Sequence, residues 1–279
     1  MKKILVPCDF SEPSHEAFKF AINLAAKNDS EVYVLHVIDF PAYYETAFGF
    51  QPIPFEASAL KEIDDDAQRK FEKMLKTYSK NDSNIVFSYV HGHVTSMIID
   101  FISRKKIDLV VIGTHGASGM REFFVGSNTE KIVRLSPVPV FAIRKAVSLS
   151  AIKDIIFPTM LEAQPELIKR IKIVQEFFKA RLHILYVNTL NNFKRDLEVK
   201  AEMEKFVKHH KLTNCTMNMR SDAFEQDGII SFTHETGGDM IVMATHGRKG
   251  LAHFLIGSVA EDVVNHVKCP IWTMVVKSS

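Results

Sequence analysis

The sequence predicts an α/β protein of two tandem, doubly wound domains, each a parallel sheet flanked by helices. Two observations predict this fold. A long internal repeat divides the chain, and within each repeat short runs of apolar, β-branched residues alternate with stretches of helical periodicity. At 279 residues the chain has room for two domains of ordinary size, each with its own hydrophobic core.

The repeat is the strongest feature of the sequence. Residues 112–130 match residues 243–261 without a gap, and the opening KKILVPCDF returns as IKDIIFPTM from Ile152. The first match has an offset of 131 residues and the second an offset of 151, so the first half holds about 20 more residues, placed after its second strand. The stretch KAVSLS at 145–150 separates the predicted domains, 1–147 and 148–279.

Each repeat begins with a strand and then alternates with helices. In the first half the predicted strands are ILVP, VYVLHV, IVFSYV, LVVIG and VPVFAI. The first helix follows a cap at Ser11 or Ser14, and its counterpart in the second half has Pro165 in its first turn. The second helices are predicted at 64–78 and 198–209. This alternation implies βαβ units, and such sheets bind ligands beyond the carboxyl ends of their strands.

Composition and charge exclude several classes of protein. Hydrophobic residues make up 46% and charged residues 24%, as in globular proteins rather than disordered or fibrous ones. The net charge is only +2 and both signs are interspersed, which argues against nucleic acid as a partner. No apolar run is long enough for a signal peptide or a membrane span. Three cysteines without a CxxC spacing indicate reduced thiols, so we expect a cytoplasmic protein.

A glycine-rich motif follows the fourth strand of the first half. Gly113 and Gly116 are separated by two residues, and nine residues later come Gly126 and Ser127, where a helix is predicted to begin. Glycines let the backbone approach a phosphate, and the helix N-terminus, the Ser127 hydroxyl and the side chain of Asn128 add hydrogen-bond donors. The motif therefore predicts a phosphate cradle. The alternative is structural: the first two glycines make a turn and Gly126 starts the helix.

In this context the chain resembles the universal stress protein family, and specifically its tandem two-domain members. The resemblance rests on KKILVPCDFSEPSHEAFKFA, VYVLHVID and IDLVVIGTHGASGMREFFVGSNTEKIVRLSPVPVFAIR, and it covers essentially the whole chain. It implies a five-stranded parallel sheet in the order 3-2-1-4-5 in each domain. It also implies ATP as the ligand, because the ATP-binding members share this spacing of glycines followed by serine or threonine.

The resemblance assigns the binding residues by their positions in these motifs. Adenine and ribose would lie at the end of the first strand, in a pocket lined by Val37 and Ile112, and the phosphates would lie against the glycines. His115 is expected to organise the backbone or face the phosphates rather than act in catalysis. A Mg²⁺ ion bound with ATP would be held mostly by phosphates, since the motif supplies no pair of carboxylates. The predicted binding residues are Pro7, Cys8, Asp9, Val37, Ile112, Gly113, His115, Gly116, Gly126, Ser127 and Asn128.

The second copy of the motif departs from the first at two positions. Met160 stands in place of Asp9, and Ala244 stands in place of Gly113. The second half therefore lacks a polar partner for ribose and adds a side chain where the backbone must come close to the ligand. Its remaining motif residues, Gly247, Gly257 and Ser258, are interpreted as structural. We predict one ATP per chain, held by the N-terminal half, and a degenerate site in the C-terminal half.

Three further features support weaker predictions. His91 and His93 have a spacing suited to a metal but lack a third ligand, so we expect them in a solvated loop after the third strand. Cys8 is interpreted as an inert, half-buried thiol, with a redox-sensitive thiol as the alternative. Residues 40–55 contain six aromatics and three prolines. This composition favours a segment folded back on the protein, either as a lid or partner-docking loop or as a cover for the inter-domain surface.

The resemblance also predicts that VPVFAI and CPIWTMVV, the last strands of the two halves, pair in an internal pseudo-dimer. A homodimer of the whole chain and an unknown protein partner stay open. Three functions are compatible with the residues: an ATP-binding regulatory protein of the stress response, which is favoured, an ATPase or phosphotransferase, and a nucleotide-free adaptor. Neither a GK[ST] P-loop nor a positioned base accompanies the motif, so hydrolysis is expected to be slow or absent.

Overall fold

The computed structural model describes residues 2–39, 57–79, 84–114, 127–162, 165–246 and 256–276. The first half contains β1 (Lys3–Pro7), α1 (Glu12–Asn28), β2 (Glu31–Ile38), α2 (Ala57–Tyr78), β3 (Ile85–His91), α3 (Val94–Lys105), β4 (Leu109–Gly113), α4 (Ser127–Leu135) and β5 (Val140–Ile143). The second half contains β6 (Asp154–Pro158), α5 (Pro165–Phe178), β7 (Arg181–Asn188), α6 (Asp196–His210), β8 (Cys215–Ser221), α7 (Glu225–Thr236), β9 (Met240–His246), α8 (Ile256–His266) and β10 (Ile271–Val276).

The strands of the described residues form one continuous sheet in the order β3-β2-β1-β4-β5-β10-β9-β6-β7-β8. Within each half every pairing is parallel, and the predicted order 3-2-1-4-5 is confirmed. The two last strands, β5 and β10, pair antiparallel, with Phe141 opposite Trp272, which confirms the predicted pairing. Because this one pairing is antiparallel, the carboxyl ends of the two parallel halves lie at opposite edges of the sheet.

The central strands are apolar along nearly their whole length, as expected for parallel strands that are covered by helices on both faces. Residues 4–7 of β1 and residues 109–112 of β4 are all buried. The outermost strands, β3 and β8, instead contain several exposed and half-buried positions. Continuous burial in the centre leaves the ends of the central strands as the place where polar side chains can meet a ligand.

The hydrophobic core on one face of the sheet is shared by the two halves. Helices α1, α2, α5 and α6 cover this face and contribute to a single cluster of buried residues. Phe141 of β5 lies between Phe20 of α1 and Phe178 of α5, at ring-centroid distances of 5.3 and 6.4 Å. On the opposite face, α4 of the first half packs against β9 and β10 of the second. The two halves are therefore joined by side-chain packing as well as by the β5–β10 pairing.

An aspartate that is equivalent in the two repeats fixes the start of each first strand. Asp108 Oδ2 accepts hydrogen bonds from the backbone N–H groups of Lys2 and Lys3, at 2.6 and 3.1 Å. Asp239 Oδ2 does the same for residues 153 and 154, at 2.8 and 3.0 Å. Each carboxylate accepts from two backbone N–H groups at the start of a strand, so this aspartate has a structural role in both repeats.

Several local predictions need correction. Helix α2 begins at Ala57, seven residues before the predicted position, and α6 begins at Asp196, two residues early. Ser11 does occupy the N-cap position of α1, but its side chain does not cap the helix, because the hydroxyl donates to Asp9 instead. Residues 40–55, for which a lid or covering loop was predicted, lie outside the described residues.

The two histidines are not both in a loop. His91 is the last residue of β3, and its Nε2 lies 3.1 Å from Oδ1 of Asp64 in α2, whereas His93 directly precedes α3. Among the described residues no group of three or more His, Cys, Asp or Glu side chains is placed to hold a metal ion. In the same part of the chain, no helix combines the length and the apolar character needed to cross a membrane.

Candidate functional site

A cavity of about 270 Å³ opens at the carboxyl ends of β1, β2 and β4. Residues from the two neighbouring helices α3 and α4 close its sides. Seven of the eleven predicted binding residues line it, namely Pro7, Cys8, Asp9, Val37, Ile112, Gly113 and Asn128. Ser127 is the first residue of α4, next to Asn128, while His115, Gly116 and Gly126 lie outside the described residues. The structure therefore brings the end of the first strand and the start of α4 to one cavity.

Asp9 is held in place by the turn that follows β1. Its Oδ1 accepts hydrogen bonds from the Ser11 backbone N–H at 3.0 Å and from the Ser11 hydroxyl at 2.5 Å. Burial acts to raise the pKa of Asp9, but these hydrogen bonds and one from Ser14 outweigh it and hold the pKa below its ordinary value. Asp9 is therefore an oriented, ionised acceptor at the rim of the cavity.

The turn after β1 has an uncommon backbone conformation. Phe10 has a φ of 61°, in the left-handed region that non-glycine residues seldom adopt. The equivalent residue of the second half, Leu161, has a φ of 66°. Because the conformation is the same in both halves, it belongs to the repeated fold and does not distinguish the two sites.

Cys8 is more buried than the predicted half-buried thiol. Its Sγ lies 3.5 Å from Ser14 Oγ and 4.0 Å from Met74 Sδ, and only 5% of the residue is exposed. Burial raises the pKa of Cys8 to about 11, so almost none of it is thiolate near neutral pH. This environment favours the inert interpretation over the redox-sensitive one.

Gly113 is required by the protein's own backbone. A Cβ atom at this position would lie 2.3 Å from the carbonyl carbon and oxygen of Pro13 and 2.8 Å from the Ser14 nitrogen. The positive-φ glycines among the described residues are Gly92 and Gly237, so a turn conformation is not the reason for Gly113. The missing side chain lets the first turn of α1 pack directly on the end of β4. This contact holds Ser11 and Ser14 beside Asp9.

The first turn of α4 is tied to the same strand end. Thr129 Oγ1 donates a hydrogen bond to the Gly113 carbonyl oxygen at 3.2 Å, and both residues line the cavity. The N-terminus of α4 therefore faces the cavity from a fixed position. Free backbone amides and the positive end of the helix dipole make such a position suitable for an anion.

A second, smaller cavity of about 120 Å³ lies at the equivalent place in the C-terminal half. Met160 and Ala244, the counterparts of Asp9 and Gly113, line it. Two carboxylates also line it, Glu162 and Glu225, at the positions of Ser11 and Val94. No lysine, arginine or histidine is among its described lining residues. Two carboxylates and no cation among the described lining residues disfavour a phosphate group here.

Comparison with known proteins supports the repeat and the fold. The family model described as the universal stress protein family matches residues 1–144 and again residues 152–275. The chain belongs to this family. A universal stress protein of Methanocaldococcus jannaschii is 33% identical over 150 residues, which is 52% of this chain and 82% of that protein. A universal stress protein A homolog of Coxiella burnetii is 29% identical over 143 residues, covering 51% of this chain and 95% of that one.

The tandem arrangement has a counterpart among solved structures. The crystal structure of a universal stress protein from Archaeoglobus fulgidus covers 97% of both chains, with a TM-score of 0.73 and 17% identity. At this identity the likeness concerns the fold alone. It shows that a solved universal stress protein has this architecture over nearly its whole chain.

Some cavity residues of this universal stress protein were not predicted. Ser11 could have been found, because an aspartate followed two residues later by serine is a common turn pattern in which the carboxylate accepts from the backbone. Val94 and Ile98 of α3 also line the cavity. They belong to a segment without any motif, and only the crossing of α3 over the sheet brings them to the site.

Proposed function

We propose that this universal stress protein is a cytoplasmic, nucleotide-dependent regulatory protein of the stress response that binds one ATP in its N-terminal half. The observation that supports this most strongly is the cavity of that half. It combines apolar walls, one ionised carboxylate and the N-terminus of a helix at the carboxyl edge of a parallel sheet. The three cysteines are free thiols, in keeping with a reducing compartment.

Each part of ATP would meet a suitable group. The adenine ring would lie against the apolar side chains of Leu35, Val37 and Ile112. The ribose hydroxyls would donate to the carboxylate of Asp9, which is already oriented by Ser11. The phosphates would extend toward the start of α4, where Asn128 lies at the cavity.

Binding without rapid turnover fits the same residues. Asp9 is the only acidic residue among the described residues that line the cavity. Mg²⁺ would accordingly be held mostly by the phosphates of ATP and not by a protein carboxylate pair. Asp9 is also assigned to the ribose, far from the terminal phosphate, so no described side chain of the cavity serves as a base for hydrolysis. Nucleotide occupancy would then act by changing the surface that a partner protein recognises.

Titration calorimetry with ATP and Mg²⁺ tests the proposal. We expect one equivalent of ATP per chain. Asp9→Asn should weaken binding by about tenfold or more, because it removes a charge-assisted hydrogen bond to ribose. The matched control Met160→Asn places the same residue at the equivalent position of the second half and should leave the affinity unchanged. Circular dichroism checks that both variants are folded.

Three outcomes would contradict the proposal. Two equivalents in the wild type would show that the second half also binds. No heat and no bound nucleotide would favour the nucleotide-free adaptor. Multiple-turnover release of phosphate that is lost in the Asp9 variant would favour an ATPase, against the slow or absent hydrolysis expected here.

A further inference from the structure

The C-terminal cavity has the opposite distribution of polarity from the N-terminal cavity. At the end where phosphates and ribose would lie, Met160, Ala244 and Val259 replace a carboxylate, a glycine and an asparagine. On the opposite wall, the first residue of α7 is Glu225, where the first residue of α3 is Val94. Apart from the exposed Glu162, the C-terminal cavity is thus apolar where the N-terminal cavity is polar, and it is acidic at the start of α7, where the N-terminal cavity is apolar at the start of α3.

Glu225 is a half-buried carboxylate for which the described residues provide no ion-pair partner. None of the ion pairs that the structure describes in the second half includes it. Burial raises the pKa of Glu225, while its position in the first turn of α7 favours the ionised form through the helix dipole. A carboxylate in an apolar cavity with no cationic partner is a group that a cationic ligand would stabilise.

A neutral donor of the protein itself now contacts this carboxylate. The side-chain nitrogen of Asn192 lies 3.1 Å from Glu225 Oε1, 3.3 Å from the Val187 carbonyl oxygen and 3.4 Å from Met160 Sδ. The orientation of the amide is determined, because its Oδ1 accepts from the backbone N–H and the hydroxyl of Thr189, at 2.6 and 2.9 Å. Three acceptors therefore share the two N–H donors of one amide nitrogen beside the cavity.

We propose that this cavity binds a small organic ammonium ion, whose apolar body enters the cavity and whose ammonium group takes the place of the Asn192 amide on Glu225. An ammonium group offers three N–H donors and carries a full positive charge. The amide offers two N–H donors and carries no charge. The walls that receive the apolar body include Leu185, Ile229 and Met243. The half-buried carboxylate of Glu225 would disfavour anionic ligands by repulsion.

This inference is independent of the ATP proposal. The two cavities lie in different halves and at opposite edges of the sheet, and they share no residue. An ammonium ligand could bind whether or not ATP occupies the N-terminal half, so each proposal can fail alone.

Ligand-observed NMR titrations with three butyl compounds test the inference. The probes are n-butylammonium, 1-butanol and n-butyrate, which share a carbon chain and differ in charge. We expect the wild type to bind butylammonium about tenfold more tightly than butanol, as one charge-assisted hydrogen bond would provide, and to bind butyrate least. Glu225→Gln should abolish the preference for butylammonium over butanol. Asn192→Ala should increase the butylammonium affinity, because it removes the competing donor.

The control is Glu162→Gln, which makes the same change at an exposed carboxylate of the same cavity. It should alter the affinity less than about twofold, because an exposed charge is screened by water. Thermal melting by circular dichroism confirms that each variant is folded. Equal binding of butanol and butylammonium to the wild type, or a preference for butylammonium that survives Glu225→Gln, would overturn the inference.

Discussion

Replacing Gly113 with alanine tests how the N-terminal cavity is built. The added Cβ atom would lie 2.3 Å from the backbone of Pro13, whereas carbon atoms in contact are normally about 3.5 Å apart or more. The start of α1 must therefore move by about 1 Å. Overpacking of this kind costs roughly 1–3 kcal/mol. The movement would also displace Ser11, which orients Asp9.

Two measurements follow from this clash. In thermal melting by circular dichroism, Gly113→Ala should lower the midpoint by roughly 2–4 °C for each kcal/mol lost. In titration with ATP it should weaken binding about tenfold, since it would displace the carboxylate that is proposed to receive the ribose. The matched control is Ala244→Gly at the equivalent position, which introduces no clash and costs only about 0.5–1 kcal/mol through backbone entropy. If Gly113→Ala melts and binds like the wild type, the assigned role of Gly113 is wrong.

Three further predictions concern other residues. Cys8 should react with a disulfide reagent at pH 8 at least about 100-fold more slowly in the native protein than in denaturant, since burial raises its pKa to about 11; equal rates would contradict this. Hydrogen bonds from His183 and Arg181 lower the pKa of Asp154, so its contribution to stability is complete above the ordinary aspartate range and lost as pH falls through the lowered value. Chemical denaturation should therefore show Asp154→Asn to be destabilising at pH 7, with the difference from wild type shrinking at acid pH. Asp108→Ala and Asp239→Ala should each cost about 1 kcal/mol, and the double variant the sum, because the two sites are far apart.

The sequence was most informative about features that repeat. The internal match at an offset of 131 residues and the alternation of elements predicted two α/β halves, and the family resemblance implied the strand order and the pairing of the last strands. These are properties of whole elements, and many residues contribute to each. The sequence also indicated Asp9, Val37 and Ile112, because they follow or belong to strands whose carboxyl ends meet at one edge of the sheet.

Features that depend on one contact between distant residues were not predictable in this way. The clash that requires Gly113 arises from the backbone of Pro13, about a hundred residues earlier in the chain. Glu225 is the counterpart of Val94, and this difference becomes informative only when the structure shows that both residues line a cavity. Asn192 follows β7 in an irregular segment, and nothing in its neighbourhood indicates that its amide reaches Glu225.

The antiparallel pairing of β5 with β10 joins two halves that belong to one covalent chain. Two separate subunits joined by the same edge strands would dissociate on dilution, and a mutation in their gene would alter both at once. Here the connection from β5 to β6 fixes the local concentration of each half around the other, so the pairing persists at any protein concentration. A substitution changes one half only. The N-terminal half can therefore keep Asp9 and Gly113 while the C-terminal half carries Met160 and Glu225, a divergence that a symmetric dimer of identical subunits does not permit.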